Sequence, residues 1–401
     1  MTGVFAGLKV IDCASFIAAP AAATAMADFG ADVIKIEPPG EGDMYRSMLS
    51  TLPGMPATDV NFPWEMVSRS KRSLCLDLKS PEGKAVLDRL VQGADVFITN
   101  LPLPARRRLG IAWEDLRGLN SRLVYGSFTA YGETGPEAEK SGFDSTAYWA
   151  RSGLMDLVRA DAASPPARSV PGMGDHPSAM AFLAAIVTAL YRRERTGVGG
   201  LASSSLLANG LWANGFWGQA ALHGLSAPPR PRREDGANAC TCMYRCADGR
   251  WLSMAMLNEE RQFPGLLGVL GLTGLLDDPR FADKATRRAN APALIAIFDT
   301  AFASRPFPAW RGLLDAAGIT FGPIGTLEDI PDDPQMQAAG ALVPFAGEAQ
   351  LTISSPFALD GEEKAPPRRS PALGQHSSEV LREAGYSDAD IERLRGLGVL
   401  G

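Results

Sequence analysis

Short hydrophobic runs alternate with helix-like segments over the first two hundred residues. An Ala-rich stretch, Pro20–Phe29, and a helix start at Ser80-Pro81, where a capping residue precedes proline, are typical of helices. The strand-like runs are rich in β-branched residues and are Leu8–Asp12, Val33–Glu37, Ser73–Leu78, Asp95–Thr99 and Leu123–Phe128. Strands that alternate with helices predict an α/β fold with a parallel sheet, which binds ligands beyond the carboxyl ends of its strands.

The rest of the chain divides at a proline-rich segment. Gly174–Arg195 predicts a long apolar helix that stops at Gly197, whereas Leu225–Asn238 is rich in proline and arginine, as linkers often are. A hairpin is expected around Asp248-Gly249. We therefore predict four regions: a large domain over 1–205, a linker over 206–238, a small domain over 239–328, and a C-terminal return to the large domain over 329–401.

Composition limits the classes of function. The 401 residues carry 39 basic and 45 acidic side chains, a net charge of −6, which argues against a general nucleic-acid binder. Met1–Gly7 does not resemble a secretory leader, and the longest apolar run, Ala179–Val187, is far shorter than the ~20 residues that span a bilayer. With five cysteines, these features predict a cytoplasmic protein with reduced thiols and no membrane partner.

Most familiar cofactor motifs are absent from the sequence. The turn after the first strand, Ser15–Pro20, lacks the glycines of dinucleotide-binding proteins, and no phosphate-loop or G-x-S-x-G motif occurs. The three histidines have no metal-ligand spacing, and the cluster of Cys240, Cys242 and Cys246 has no fourth ligand nearby. We therefore expect these cysteines to pack in the interior, and we predict no metal site.

Two features point to the chemistry of anions. Asp175 follows a glycine and opens the long apolar helix, where it is either an ordinary N-terminal cap or a reactive carboxylate. Basic residues follow or precede successive strands, which would suit a ligand with several phosphates if the loops converge. These basic residues are Arg69, Lys71, Arg72, Lys79, Arg106, Arg107 and Arg108.

Motifs along nearly the whole chain resemble the class III coenzyme A transferases, a family that includes formyl-CoA:oxalate and carnitine CoA-transferases. The motifs include Gly7-Leu8-Lys9-Val10-Ile11-Asp12, Gly30-Ala31-Asp32-Val33-Ile34-Lys35, Lys71-Arg72-Ser73, Arg108-Leu109-Gly110, Gly174-Asp175, Asp278-Pro279-Arg280-Phe281 and Gln375-His376. The resemblance implies a Rossmann-like large domain and a smaller α+β domain joined by long linkers. It also implies an interlocked homodimer that binds acyl-CoA and a carboxylic acid.

The resemblance further implies a catalytic site. Asp175 corresponds to the family nucleophile, which forms an aspartyl anhydride and then an aspartyl-CoA thioester. No metal or permanently bound cofactor is implied, since the coenzyme A thioester is itself a substrate. The residues expected to contact coenzyme A are Ile17, Ala18, Leu76, Lys79, Asn100 and Arg108, and Phe143 and Asp144 are expected to flank the thioester.

Two other functions remain open alongside CoA transfer. The α-methylacyl-CoA racemases share the fold but use a histidine where this chain has Phe143, which cannot carry a proton, so transfer is favoured. A catalytically silent acyl-CoA-binding protein is the other alternative. The chain departs from the formyl-CoA type at Ile17, Pro38, Gly200 and Ala208, and the charged segment Asn258–Phe263 hints at a polar or dicarboxylic acyl group.

Overall fold

The computed structural model describes residues 3–51, 54–55 and 58–401, which form two compact units. The larger unit comprises the described residues up to Met155 together with Arg168–His223 and Asp333–Gly401. The smaller unit comprises Asp156–Ala167 and Gly224–Asp332. The early segment Asp156–Ala167 therefore belongs to the smaller unit, which the sequence did not indicate.

A six-stranded parallel sheet forms the centre of the larger unit. Its strands lie in the order β3-β2-β1-β4-β5-β6, which is the strand order of the doubly wound dinucleotide-binding folds. The predicted α/β class is thereby confirmed. The strands are β1 (Lys9–Asp12), β2 (Asp32–Glu37), β3 (Arg72–Cys75), β4 (Val96–Thr99), β5 (Val124–Thr129) and β6 (Gly200–Ser205).

Helices cover both faces of this sheet, because alternate strand residues point to opposite sides. Val10 joins the core beneath the helix that follows β1, whereas Ile11 joins the core on the other face. The helices are α1 (Ala18–Asp28), α2 (Tyr45–Thr51), α3 (Phe62–Ser68), α4 (Pro81–Gln92), α5 (Leu103–Leu109), α6 (Trp113–Leu116), α7 (Leu154–Leu157), α8 (Asp175–Thr196), α9 (Leu206–Ala213) and α10 (Gly215–Leu222), with a π-helix at Asp144–Ala150.

Two local expectations meet the structure differently. Ser80 caps α4 by accepting a hydrogen bond from Gly83 N, as the Ser-Pro start predicts. The sequence predicts a linker over residues 206–238, but residues 206–222 form helices α9 and α10 of the larger unit. Their composition is apolar, with Ser205 as a cap, so the segment has the signals of helices and lacks those of a linker.

The smaller unit has its own antiparallel sheet and core. The hairpin around Asp248-Gly249 is present, and the three cysteines Cys240, Cys242 and Cys246 are buried among aromatic and aliphatic side chains. The strands are β7 (Met243–Arg245), β8 (Trp251–Met254) and β9 (Phe321–Ile324), and the helices are α11 (Glu259–Leu270), α12 (Lys284–Ala289), α13 (Ala291–Phe302) and α14 (Phe307–Ala316).

The C-terminal part returns to the larger unit and ends beside β3. Asp77 N donates to Val399 O at 2.9 Å, and Leu400 forms a bridge with Leu76. The elements of this part are α15 (Pro334–Ala338), β10 (Leu342–Pro344), β11 (Leu351–Ile353), α16 (Ser377–Glu383) and α17 (Asp388–Gly396). Over the described ranges of the chain, no helix combines the length and the apolarity needed to cross a bilayer.

Candidate active site

The turn between β1 and α1 lies at the carboxyl edge of the sheet. Phe16 adopts a left-handed conformation, with φ of 62°, which a bulky residue rarely adopts without support. Asn100, directly after β4, supplies part of it: Ser15 N donates to Asn100 Oδ1 at 2.8 Å, and Asn100 Nδ2 donates to Ser15 O at 2.7 Å. The Asn100 side chain, which the sequence predicts to contact coenzyme A, therefore holds this turn through two hydrogen bonds.

A cavity of about 290 Å³ opens beside the turn. It brings together five of the residues expected at the site, which are Ile17, Ala18, Asn100, Phe143 and Asp175. The remaining walls are largely apolar and include Phe16, Met44, Leu101, Leu103, Phe128 and Leu206. The cavity is thus a mainly hydrophobic pocket with two carboxylates, Asp175 and Glu139, of which Glu139 is paired with Arg107.

Asp175 is the first residue of α8, and its neighbour Gly174 is required by packing. A Cβ atom on Gly174 would lie 2.7 Å from Tyr148 Cγ and 3.0 Å from Asp144 Cβ, closer than real contacts allow. Among the described residues, no hydrogen bond or ion pair reaches the Asp175 carboxylate. The ordinary capping interpretation is therefore wrong, since a cap would accept a backbone hydrogen bond from the first turn.

The electrostatic environment of Asp175 favours its neutral form. Burial, and secondly the negative charge of Asp144, raise the pKa of Asp175 to about 7. Asp144 is itself buried and accepts a hydrogen bond from Gly174 N at 3.3 Å. Two carboxylates thus lie together, and no cation in the described ranges of the chain forms an ion pair with either of them.

The polar side chains that the structure describes around this pair add no unpaired positive charge. Burial, followed by the charges of Asp175 and Asp43, raises the pKa of Tyr45 to about 12, so its phenol stays protonated. Burial also lowers the pKa of His176. Lys140 lines the cavity, but its ammonium is paired with Glu137 at 2.9 Å. Asp175 is therefore a carboxylate whose deprotonated form is poorly stabilised, which suits a nucleophile.

A second cavity, of about 260 Å³, lies next to the first and shares Ser15, Met44 and Leu101 with it. Leu76 and Lys79, both expected to contact coenzyme A, line this second cavity. Lys79 is exposed, and its ammonium makes no ion pair within the part of the chain that the structure describes. Together the two cavities follow the carboxyl edge of the sheet.

The other two residues predicted for the site, Arg108 and Asp144, line neither of the two cavities. Arg108 is exposed on α5 and lines neither cavity, although the adjacent Leu109 lines the second. Asp144 lines neither cavity, but its carboxylate supports the backbone directly before Asp175.

The sequence predicts that seven basic residues converge on a ligand with several phosphates, and this prediction is wrong for most of them. Arg69 is buried in an ion pair with Asp28 at 2.8 Å, and Lys71 in one with Asp12 at 2.7 Å. Arg106 is also buried, donating to Leu101 O and Phe128 O. Arg72 and Arg107 are held by acidic partners, which are Asp32, Glu379, Glu383 and Glu139. Lys79 and Arg108 are the two members of the set without an acidic partner among the described residues.

The hint of a polar acyl group from Asn258–Phe263 also fails. Glu259 is buried and pairs with Arg288, and Glu260 pairs with Arg287 at 2.7 Å. These carboxylates tie the start of α11 to α12, so their charges have a structural purpose within the smaller unit. They carry no information about the substrate.

Sequence reasoning missed Phe16, Met44 and Tyr45 as parts of the site. The sole signal for them was the Gly42-Asp43 pair after β2, because an Asp in such a loop often binds nearby backbone amides. For metals, no cluster of three or more His, Cys, Asp or Glu side chains occurs among the residues with described positions.

Fold and site together define a class of protein. A doubly wound sheet with adjoining cavities along its carboxyl edge, one of them lined by a carboxylate without a cation partner among the described residues, is typical of an enzyme that binds its substrate beyond the ends of the strands.

Comparisons with known proteins identify the family. A sequence model of CoA-transferase family III matches residues 5–377. The (R)-2-hydroxy-4-methylpentanoate CoA-transferase of Clostridioides difficile is 31% identical, with 97% of each chain covered. The cinnamoyl-CoA:phenyllactate CoA-transferase of Clostridium sporogenes is 30% identical, covering 98% of this chain and 96% of its own.

A solved structure agrees with these relatives. The CAIB/BAIF family protein from Brucella suis superposes with a TM-score of 0.85 at 30% identity, covering 96% of this chain and all of that one. The chain belongs to CoA-transferase family III, as its motifs had indicated, and its relatives support CoA transfer as the general activity.

Proposed function

We propose that the protein transfers coenzyme A from an acyl-CoA donor to a carboxylic acid through covalent intermediates on Asp175. The observation that carries this proposal is the state of the Asp175 carboxylate. It faces a hydrophobic cavity, takes no hydrogen bond from any described residue and has a pKa raised to about 7. A weakly stabilised anion in such a place is a better nucleophile than a solvated one.

The proposed reaction balances without water or ATP. An Asp175 oxygen attacks the thioester carbonyl, the C–S bond breaks, and a mixed anhydride and free CoA thiolate form. The thiolate then attacks the aspartyl carbonyl, which releases the donor carboxylate and leaves an aspartyl-CoA thioester. The acceptor carboxylate attacks this thioester to form a second anhydride, and the thiolate finally takes the new acyl group and frees Asp175.

In this proposal, the surrounding residues stabilise the intermediates, exclude water and bind the nucleotide end of coenzyme A. The amino-terminal end of α8 carries partial positive charge that stabilises oxyanions formed at Asp175. Phe16, Phe143 and Leu206 limit the access of water, which would hydrolyse either intermediate. Lys79 lies in the second cavity, where its free ammonium suits a phosphate of the nucleotide end of coenzyme A.

The walls of the first cavity also favour a class of acyl group. Three phenylalanine and three leucine side chains line this cavity with Asp175, and the one lysine that lines it is paired with Glu137. We propose an apolar acyl group, in keeping with the cinnamoyl group in the name of one of the two relatives. A panel of aliphatic, aromatic and dicarboxylic CoA thioesters tests this, and a preference for dicarboxylic donors would contradict it.

Trapping the acyl-enzyme tests the mechanism. Incubation with an acyl-CoA and hydroxylamine, followed by peptide mass spectrometry, is expected to place a hydroxamate on Asp175. Asp175→Asn is expected to lower transfer by about a thousandfold or more, as loss of a nucleophile does. Because no hydrogen bond to the carboxylate is lost, that variant should fold normally. A hydroxamate on Asp144, or full activity of the variant, would remove Asp175 from the mechanism.

The same experiments separate the alternatives. A silent acyl-CoA-binding protein would give no hydroxamate at any aspartate. A racemase would exchange the α-proton of an acyl-CoA with D₂O when no acceptor acid is present. Phe143 is 58% exposed and carries no ionisable group, so no such exchange is expected.

The proposal includes a homodimer in the cytoplasm. Helices α9 and α10 expose Trp212 (88%), Phe216 (80%) and Leu222 (82%), and a monomer seldom leaves such a patch in water. A second, interlocked copy of the chain is the proposed occupant. Light scattering should give twice the mass of one chain, and Trp212→Glu with Phe216→Glu should weaken the dimer. A monodisperse monomer in the unmodified protein would contradict this part.

A further inference from the structure

Four charged side chains are buried directly beneath the β1–α1 turn. Asp12, Lys35, Asp43 and Lys71 are each at most 4% exposed, and they come from β1, β2, the loop after β2 and the residue before β3. Removing charged groups from water costs so much free energy that a gain in stability alone does not account for a cluster of this kind. The contacts of Asp43 indicate what that purpose is.

Both oxygens of Asp43 are used. Oδ1 accepts hydrogen bonds from Ser15 Oγ at 2.7 Å, from Tyr45 N at 3.0 Å and from Phe16 N at 3.3 Å. Oδ2 lies 2.8 Å from Lys35 Nζ in an ion pair. Lys35 in turn donates to Ala14 O, so the pair holds the turn from both sides.

These contacts join two backbone segments that form the shared wall of the cavities. Ser15, whose hydroxyl donates to Asp43, and Met44, the residue after Asp43, line both cavities. Phe16 is held in its left-handed conformation, and its ring lies 6.0 Å from Phe143 and 6.1 Å from Tyr45. A strained residue persists only where its surroundings fix it, and here Asp43 supplies a large part of that constraint.

We propose that Asp43 is a positioning residue, which keeps the β1–α1 turn in the shape that seats coenzyme A between the two cavities. Asp43 itself lies behind the turn and does not act on the reacting atoms. The inference rests on the proposed function for its kinetic readout, but its binding readout requires only that the protein binds coenzyme A.

Asp43→Asn tests the inference because it keeps the size of the side chain and removes its charge. An amide has one acceptor oxygen, so either Lys35 or the Ser15–Phe16 segment must face an NH₂ group. Calorimetric titration with free coenzyme A should show a Kd raised about tenfold, the size expected for a lost hydrogen bond to a charged group. The KM for acyl-CoA should rise by a similar factor, and the KM for the acceptor acid by less than about twofold.

Asp28→Asn is the matched control. Asp28 is also a buried aspartate in a cation pair, with Arg69 at 2.8 Å, but it lines neither of the two cavities. It should lose stability without changing the Kd for coenzyme A or the KM for acyl-CoA. A general loss of folded protein would lower the apparent kcat and leave KM unchanged, so the two effects can be separated.

Ser15→Ala keeps the inference testable if Asp43→Asn does not fold. It removes a single hydroxyl donor to Asp43 and should raise the Kd for coenzyme A about threefold, the effect of one ordinary hydrogen bond. The inference is overturned if a folded Asp43→Asn binds coenzyme A like the unmodified protein, if Ser15→Ala does so where Asp43→Asn does not fold, or if Asp28→Asn weakens binding equally. An unmodified protein that binds coenzyme A without transferring it would refute the proposed function and leave the inference standing.

Discussion

The larger unit contains two pairs of buried or half-buried aspartates with opposite electrostatics. Asp12 and Asp43 are accompanied by two lysines, so that four buried charges cancel. Asp144 and Asp175 have no cation partner among the described residues. Burial alone would raise the pKa of Asp43, but the Lys35 ammonium lowers it overall, whereas burial and Asp144 raise the pKa of Asp175 to about 7.

The difference lies in the neighbours and not in the type of side chain. All four residues are aspartates near the carboxyl edge of one sheet, and burial acts on Asp43 and Asp175 in the same direction. A compensated carboxylate is fixed by its hydrogen bonds and becomes part of the framework. An uncompensated one remains reactive, and its ionisation opposes the stability of the fold.

The largest effect on stability is expected when the compensated cluster is broken. Lys71→Met removes the ammonium that lies 2.7 Å from Asp12 Oδ2 and 2.8 Å from Pro20 O. The variant should lose about 3–5 kcal/mol of unfolding free energy in urea denaturation, because Asp12 keeps only the 3.8 Å contact with Lys35 and the cluster is left with a net negative charge.

Lys140→Met is the control for that experiment. Lys140 lines the first cavity but lies at the surface, so its removal should leave the urea midpoint nearly unchanged. Equal midpoints for the two variants would show that the lysines beneath the turn are no more important to stability than a surface charge.

A smaller effect of opposite sign is expected at the uncompensated pair. Since the folded protein raises the pKa of Asp175 from its ordinary value to about 7, the protonated form adds stability at acid pH. That stability is lost as the pH rises from about 4 through 7. Asp175→Asn should therefore be more stable than the unmodified protein by about 2 kcal/mol at pH 8, the full shift being reduced by partial exposure.

Urea denaturation at pH 5 and pH 8 measures this difference. The advantage of Asp175→Asn should grow between the two pH values, because the unmodified protein ionises Asp175 over that range. A variant that is less stable at pH 8 would mean that the carboxylate is held by contacts after all.

The smallest effect is a displacement of a pH profile. Asp144→Asn removes the lesser of the two causes that raise the pKa of Asp175, so the rise of the acylation rate with pH should move to lower pH by less than about one unit. Tyr45→Phe is the control, because the Tyr45 phenol is protonated throughout this pH range and its removal changes no charge. Both variants keep His176 and Lys140. An equal displacement in both variants would point to altered geometry instead of charge.

Much of the fold could be predicted from the sequence because its signals are local. The hydrophobic runs of β1 to β5, the Ser80 cap and the turn at Asp248-Gly249 each depend on a few adjacent residues. The helix that Asp175 opens was predicted in the same way.

The site could be predicted only in outline because its electrostatics depend on distant partners. Arg69 and Lys71 are basic in any sequence analysis, but their neutralisation requires Asp28 and Asp12, which are 41 and 59 residues away. The left-handed Phe16 has no sequence signature of its own. The resemblance to a family supplied Asp175 as a candidate, and only the folded structure shows that its carboxylate accepts no capping hydrogen bond from α8.

The discontinuous smaller unit constrains the order in which the chain can mature. Residues 156–167 are synthesised early, but their contacts within the smaller unit form only after Arg230 has been synthesised. The Arg230 carbonyl accepts a hydrogen bond from Ala162 N, and the Arg230 guanidinium donates to Leu157 O, 73 residues away. Contacts of such sequence separation form late and slow folding. A recombinant fragment beginning at residue 224 would therefore lack residues 156–167, which belong to the smaller unit. A circular permutant with new termini between residues 155 and 168 would break the chain at this same segment.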